Sequence, residues 1–220
     1  MLAKELISGD IQPLKVSDKA VIALHWMDEF RIGLWPVVDE EIYAGLVSDE
    51  AIFNFGNFEE PLGEIPLATI GTSVLQHQHV FDVIRIAALL KLSIVPVVDN
   101  AGNYLGVITQ QAMIDYMARL NAVENPGGIV VMEVAQNNYS LSEIARIAEA
   151  DEARVLSANV VSSPDSSLIE VTLKFDRLNI QQVIQSLEQQ GYRTKASFFE
   201  KDSTEDLQDR YNSLMNFLNI

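Results

Sequence analysis

The spacing of apolar residues over the first 120 positions changes twice, in the same order each time. Val21, Leu24, His25 and Asp28 recur at a helical interval after "VSD", where Ser17 or Asp18 is placed to cap the first turn. Sixty residues later Val80, Val83, Ile84 and Ala87 keep the same interval. Each helical stretch leads into an apolar run, 34–38 and then 94–98, too short for a helix and rich in Val, which predicts a buried strand. A turn follows, "DEEIYAG" in the first case and "DNAGNYLG" in the second, and then a short strand at Leu46-Val47 or Val107-Ile108. Each series closes with a helical stretch beginning at Ser48 or Thr109, whose hydroxyls serve as N-caps. Pro36 thus sets on Pro96. A repeat of this size predicts two small units that cannot bury their apolar faces alone and pack against each other about a pseudo-two-fold axis.

The pattern changes at "NAVENPGG", 121–128, which breaks the preceding helix and marks a boundary, with Gly127-Gly128 as a hinge. Residues 129–135 predict a strand. "YSLSEIARIAEA" predicts a helix with Ser140 and Glu143 as a capping box and with Leu141, Ile144, Ala145 and Ala148 on one face. "VLSANVV" reads as a strand and "SPDSS" as a turn. Over 168–175 the alternation is strict: Ile169, Val171, Leu173 and Phe175 face one way, Glu170, Thr172 and Lys174 the other. A helix carrying Ile180, Val183, Ile184 and Leu187 ends at Gly191, and "RTKASFF" closes as a strand. The order βαββαβ is ferredoxin-like. The last stretch, 203–220, predicts a helix capped by Ser203, with an apolar stripe of Leu207, Tyr211, Leu214, Met215 and Leu218 that packs on its own chain or on a second subunit.

Composition narrows the function classes. Hydrophobic residues make up 48%, enough for real cores, while 31 acidic against 15 basic residues give a net charge of −16. That balance repels nucleic acid and anionic membrane surfaces. The chain has no cysteine, so disulfides and thiolate metal sites are ruled out. The N-terminus lacks the apolar run of a signal peptide, and the most apolar stretch, 83–98, is interrupted by Arg85, Lys91 and Pro96, so a cytoplasmic protein is expected. His77 and His79, with Asp82 nearby, are the one close histidine pair; at a helix start they read as solvated or capping residues rather than metal ligands. No nucleophile–base order, paired carboxylates or phosphate loop is present, so no enzyme activity is expected.

The twice-written series of helix, "PVVD", turn, "G-h-h-[ST]" and helix, where h is apolar, resembles the cystathionine-beta-synthase (CBS) domain in its tandem form, the Bateman module. The resemblance covers roughly residues 1–121, as CBS domains at 1–60 and 61–121. It implies clefts for an adenosine-containing regulatory ligand such as AMP, ADP, ATP or S-adenosylmethionine. Leu34, Trp35 and Pro36, with Ile94, Val95 and Pro96 in the second copy, then supply an apolar wall and backbone groups for adenine. Ser48-Asp49 and Thr109-Gln110 stand where a helix begins and a phosphate arrives. The family pattern continues "[ST]-x-x-D", the Asp holding ribose; here Ala51 and Ala112 stand in that place, and neither "G-h-h-[ST]" segment carries Lys or Arg. Residues 128–200 are similar to an ACT domain, with Asn137 or Asn138 supplying a left-handed turn where that family has Gly. With a C-terminal helix at 201–220, the whole architecture is similar to acetoin-utilisation accessory proteins. The expected fold class is α/β (α+β). Two readings stand. In one, a non-catalytic module senses an adenosine ligand and signals through a homodimer or a regulated partner protein. In the other, a constitutive dimerisation scaffold keeps vestigial clefts.

Overall fold

The computed structural model describes residues 1–162 and 167–199. Two compact units divide the chain, Met1–Tyr116 and Met117–Ile220. In the first, the repeat is plain: β1 (Leu14–Lys15), α1 (Ala20–Phe30), β2 (Leu34–Asp39), β3 (Ile42–Ser48) and α2 (Asp49–Phe55) are followed by β4 (Val74–Leu75), α3 (Val80–Leu90), β5 (Ile94–Val98), β6 (Tyr104–Thr109) and α4 (Gln110–Leu120), whose last turn runs past Tyr116. Each copy builds a three-stranded sheet, ordered β1-β2-β3 or β4-β5-β6, with a short parallel pair and a longer antiparallel hairpin. The outer hairpin strands are longer than the two apolar residues that announced them. Their first halves, from Ile42 and Tyr104, carry little apolar alternation and owe their extension to pairing.

The copies are exchanged at their edges. Leu46 on β3 gives its N–H to the Ala68 carbonyl (2.9 Å) and takes the Ala68 N–H on its own (2.8 Å). Sixty residues away Ser8, equivalent to Ala68, bridges Val107 on β6 and donates to its carbonyl (2.8 Å). Each connecting segment therefore pairs with the hairpin of the other copy. Two sequence features follow. Pro36 and Pro96 lie opposite Leu46 and Val107, whose backbone groups point away from them, so the missing proline N–H costs no ladder bond. Gly45 and Gly106 hold φ of +150 and +146, and a Cβ there would lie 2.9 Å from Leu67 Cβ or 2.3 Å from Ile7 Cγ2. The glycine of each "G-h-h-[ST]" is where the other copy's connector crosses.

The same exchange corrects the expected start of α1. Lys19, not Ser17 or Asp18, is the N-cap, with no side-chain cap bond. The first N–H groups, of Ala20 and Val21, donate to the carbonyls of Glu60 (3.0 Å) and Phe58 (2.9 Å), so the connector caps the helix and Asp18 instead accepts from the Lys15 N–H (2.8 Å). The inward face also differs. Ala20, Ala23 and Met27 are buried, whereas Val21, His25 and Asp28 are exposed. In α3 the expected Val80 and Val83 are buried. Leu62 and Ile65 sit in the first copy's core with Trp35 and Ile52, while Ala3 and Leu6 sit in the second copy's with Val83 and Ile108.

In the second unit β7 (Ile129–Ala135), α5 (Leu141–Ala150), β8 (Val155–Ser162), β9 (Leu168–Phe175), α6 (Gln181–Gln189) and β10 (Arg193–Phe198) form a ferredoxin-like fold, with an antiparallel sheet ordered β10-β7-β9-β8. Ile169, Val171, Leu173 and Phe175 are buried with Ile144, Val183 and Leu187. Several expectations are corrected here. Gly127-Gly128 is a contact point and not a hinge: a Cβ on Gly127 would stand 1.8 Å from the Phe175 carbonyl, and one on Gly128 2.7 Å from Ile180 Cγ1. Half the capping box forms, Glu143 N–H donating to Ser140 Oγ (3.3 Å), because the Glu143 carboxylate accepts from the Tyr192 hydroxyl (3.0 Å). Leu141 is exposed at the helix start. A 3-10 turn at Gln136–Asn138 replaces the left-handed Asn. The "SPDSS" turn (except Ser167) and the 203–220 helix lie outside the described residues.

Candidate functional site

Each hairpin brings its two ends together. Leu34 lies opposite Ser48, and Ile94 opposite Thr109, so in both copies the apolar residues before the proline share a strand pair with the hydroxyl at the helix start. Ser48 Oγ accepts from the Ala51 N–H (3.0 Å), and Thr109 Oγ1 from the Ala112 N–H (3.2 Å). The Asp49 N–H donates to Gly33 (3.1 Å) and the Gln110 N–H to Ser93 (2.9 Å). Both hydroxyls thus act as N-caps, each fixing the joint between hairpin and helix.

The wall residues differ in placement. Pro36, Pro96, Ile94 and Val95 are buried and Leu34 is half-buried. Trp35 is 2% exposed and turned inward. Its Nε1–H donates to the Gln12 carbonyl (3.0 Å), and its ring stacks on Trp26 (6.4 Å between centroids) and meets the edge of Phe30 (5.5 Å). The indole packs β2 onto α1 rather than lining an open wall.

Charge separates the two copies further. In α2, Asp49 and Glu50 occupy the first turn, and Asp49 Oδ1 accepts from the Glu50 N–H (2.7 Å), so a carboxylate already sits at that helix start. In α4, Gln110 and Gln111 stand there with no acid in the first turn. Of the two positions, the second is the less hostile to an anionic group. Asp99, the last residue of the second "PVVD", holds its turn by accepting from the Asn103 side-chain amide (2.7 Å) and from the Asn103 and Ala101 backbone N–H groups (2.9 and 2.8 Å), and these bonds, the side-chain one above all, keep its carboxyl below the usual range.

Sequence reasoning passed over the residues at the pseudo-two-fold axis. The Tyr43 N–H donates to Gly102 and the Tyr104 N–H to Glu41, and the two rings stack at 6.5 Å. Tyr43 hydroxyl bonds Thr72 Oγ1 (2.9 Å), and burial pushes its phenol up to about 12. Tyr104 hydroxyl is buried without a partner, and burial raises its phenol too. The signal was present: each Tyr stands two residues before the motif glycine, as "YAG" and "YLG". His79 caps α3, its Nδ1 accepting from the Phe81 N–H (3.2 Å), and His77 is exposed. Among the described residues no group of three or more His, Cys, Asp or Glu is placed to hold a metal, and no helix is long and apolar enough to cross a membrane.

In the second unit adjoining hollows meet at Arg177, one of about 650 Å³ lined by Asn125, Pro126, Leu156 and Asn179. The guanidinium is taken up by Glu152, through its carbonyl (2.7 Å) and carboxylate (2.9 Å), and Glu149, Asp151 and Asp176 line the same hollows. That arrangement favours neither an anion nor an apolar ligand.

Comparison with known proteins agrees with the repeat. The chain matches the CBS domain over residues 72–119. Among solved structures, a CBS domain pair/ACT domain protein from Thermotoga maritima aligns at 16% identity and a TM-score of 0.50, over 54% of this chain and 98% of that one. A putative acetoin utilization protein (AcuB) from Vibrio cholerae aligns at 21% identity and 0.48, over 56% and 95%. A protein named CBSX2, solved in complex with AMP, aligns at 20% and 0.46, over 54% and 96%. At these identities the first likeness speaks for the fold.

Proposed function

We propose that the first unit is a non-catalytic regulatory module that takes an adenosine-containing ligand beside Thr109, and that ligand occupancy is passed on through a homodimer or a regulated partner protein in the cytoplasm. CBS domains are commonly regulatory. The single observation carrying this reading is the second hairpin end, where buried Ile94 and Pro96 lead to Thr109 and the acid-free first turn of α4. Adenine would lie against the backbone of 94–96, and the helix start would face an anionic group. Ser48 with Leu34, Trp35, Pro36 and Asp49 forms the weaker counterpart. With no Lys or Arg between 92 and 118 and a strongly acidic chain, AMP or S-adenosylmethionine suits the site better than ADP or ATP. The domain spans 1–60, 61–121 and 128–200, the last ACT-like, are part of this reading.

The test is thermal denaturation with AMP, ADP, ATP and S-adenosylmethionine. A ligand at 100 times its Kd adds about 2.7 kcal/mol to the native state. The expected result is a higher midpoint with AMP or S-adenosylmethionine that Thr109→Ala abolishes and Ser48→Ala preserves. No shift at millimolar ligand would replace this reading with the second, a constitutive scaffold. That alternative is favoured by Ala51 and Ala112, which offer only an N–H to the capping hydroxyl where a carboxylate would hold ribose.

A further inference from the structure

α4 is shared by the two units: it opens at Gln110 in the first, and its last turn, from Met117, lies in the second. Its eleven residues contain neither glycine nor proline, and Gln111 Nε2 donates to Asp115 Oδ1 one turn on (2.7 Å). Such a helix holds a span of about 16 Å as a stiff rod. Its counterpart α2 has seven residues and stops at a left-handed Gly56 (φ +81). The copy whose helix start carries no acid is therefore also the copy whose helix runs on into the second unit.

The chain leaves α4 through a left-handed Ala122 (φ +50), with the Val123 N–H returning to the Ala118 carbonyl (2.9 Å). The turn then bonds to the sheet face opposite α5 and α6. Ser157 Oγ donates to the Asn121 carbonyl (3.3 Å), Asn159 Nδ2 to Asn121 Oδ1 (2.8 Å), and Lys174 Nζ to the Val123 carbonyl (3.1 Å). Ser157 and Lys174 are partners across β8 and β9, and Asn159 is the next residue of β8 on that face. Lys174 is 8% exposed, and among the described residues no carboxylate pairs with it. A buried lysine is normally paired; this one is answered by the Val123 carbonyl and the negative end of α4. Val123 itself is 61% exposed, so its side chain does not glue the turn down. The dock is polar. A hydrogen bond to a buried charge weakens steeply when its acceptor moves or turns, whereas an apolar contact slides.

We propose that Ser157, Asn159 and Lys174 receive the state of the Thr109 site: a ligand beside Thr109 shifts α4, and this dock carries the shift into β8 and β9. The route rests on the nucleotide reading given above and names how that site is read out. A ligand moves α4 only if it binds two positions of the helix unequally. Because the ligand contacts the helix start, the position of α4 enters its binding free energy directly, and the buried ammonium at the other end registers the same displacement. Ser48 has no such route, since α2 ends at Gly56 within the first unit.

Amide hydrogen exchange on the full chain tests this, with AMP and S-adenosylmethionine as probes. In the native chain a bound probe is expected to slow exchange over 94–112 and to change it by about fivefold or more over β8 and β9, the lower end of usual coupling between sites. Lys174→Met should keep the first effect and lose the second; Asn159→Ala, which removes another bond of the dock, makes the same comparison if Lys174→Met does not fold. Slowed exchange over 94–112 with β8 and β9 unmoved in the native chain overturns the route and leaves the nucleotide reading standing. If neither probe slows exchange anywhere, that reading falls, and the route is judged without ligand. Thr109→Ala, which loosens the start of α4, is expected to speed exchange in β8 several-fold, while Ser48→Ala, an equal cap loss in the other copy, leaves it alone. Equal exchange in β8 for these two variants overturns the route whatever the nucleotides do.

Discussion

The two copies in the first unit share a backbone plan and differ in what they do with it. Position for position, Trp35 stands against Val95, Asp49-Glu50 against Gln110-Gln111, and a seven-residue α2 against an eleven-residue α4. The parts in common are those the exchange demands: prolines at pairs with no bond to lose, glycines where a connector crosses, hydroxyls capping a helix. The differences fall where no crossing constrains the chain. The first copy spends its freedom on an aromatic pack between strand and helix, the second on a helix start without acid. Duplication here conserves a joint and leaves the sites beside it open to diverge.

Several substitutions sharpen that contrast. The largest effect is expected from Trp35→Ala, which removes a fully buried indole and its bond to Gln12 and should cost about 4 kcal/mol in denaturant unfolding; Val95→Ala should cost about half as much. A smaller gap would mean the two strands are packed alike. Next come Gly45→Ala and Gly106→Ala, each about 3 kcal/mol from positive φ and crowding. Gly45 should be the worse, since its new Cβ meets the Ala68 carbonyl at 3.0 Å, whereas Ile7 at Gly106 presents a methyl that can rotate away. Ser48→Ala and Thr109→Ala should each cost about 1 kcal/mol as lost caps, equal in stability though unequal in ligand response.

The smallest effects concern the paired tyrosines. Tyr43→Phe gives up a bond to Thr72 and should cost about 1 kcal/mol, while Tyr104→Phe removes a hydroxyl with no partner and should be neutral or slightly stabilising. Alkali tests the same pair. Tyr43 titrates near 12 when folded against about 10 when unfolded, so the folded state keeps its proton longer. The stability it contributes is whole below pH 10 and is lost as the pH climbs toward 12. Burial raises the Tyr104 phenol as well, so alkaline unfolding followed by circular dichroism should begin later in Tyr104→Phe, which drops that alkali-sensitive group and keeps the Tyr43–Thr72 bond, than in Tyr43→Phe.

Much of this was legible in the chain because periodicity reports local burial. The strict alternation of 168–175 became β9 with its expected face inward, and the duplicated "PVVD…G…[ST]" became two hairpins with capping hydroxyls. What periodicity cannot report is a partner far along the chain. Ser17 and Asp18 were plausible caps for α1 until the carbonyls of Phe58 and Glu60 arrived from the connector. Gly127-Gly128 suggested flexibility, but the tight approach of Phe175 and Ile180 gives glycine there a steric purpose. The site divides along the same line. Which residues would sit together could be read from the repeat, whereas the inward turn of Trp35 depended on Trp26 and Phe30, neither of which its own strand reveals.

The bond from Ser8 to Val107 also sets a timetable. On a ribosome adding about 5–20 residues per second, the segment that closes the second hairpin emerges first and must wait until nearly a hundred further residues have been made. The first copy waits as well, because its core takes in Ile94 and Val107 of the second. Neither copy can finish as an independent folding step during synthesis. A nascent chain released between residues 60 and 100 should be a substrate for chaperones and proteases, and the native first unit should appear in one late event once β6 has cleared the exit tunnel.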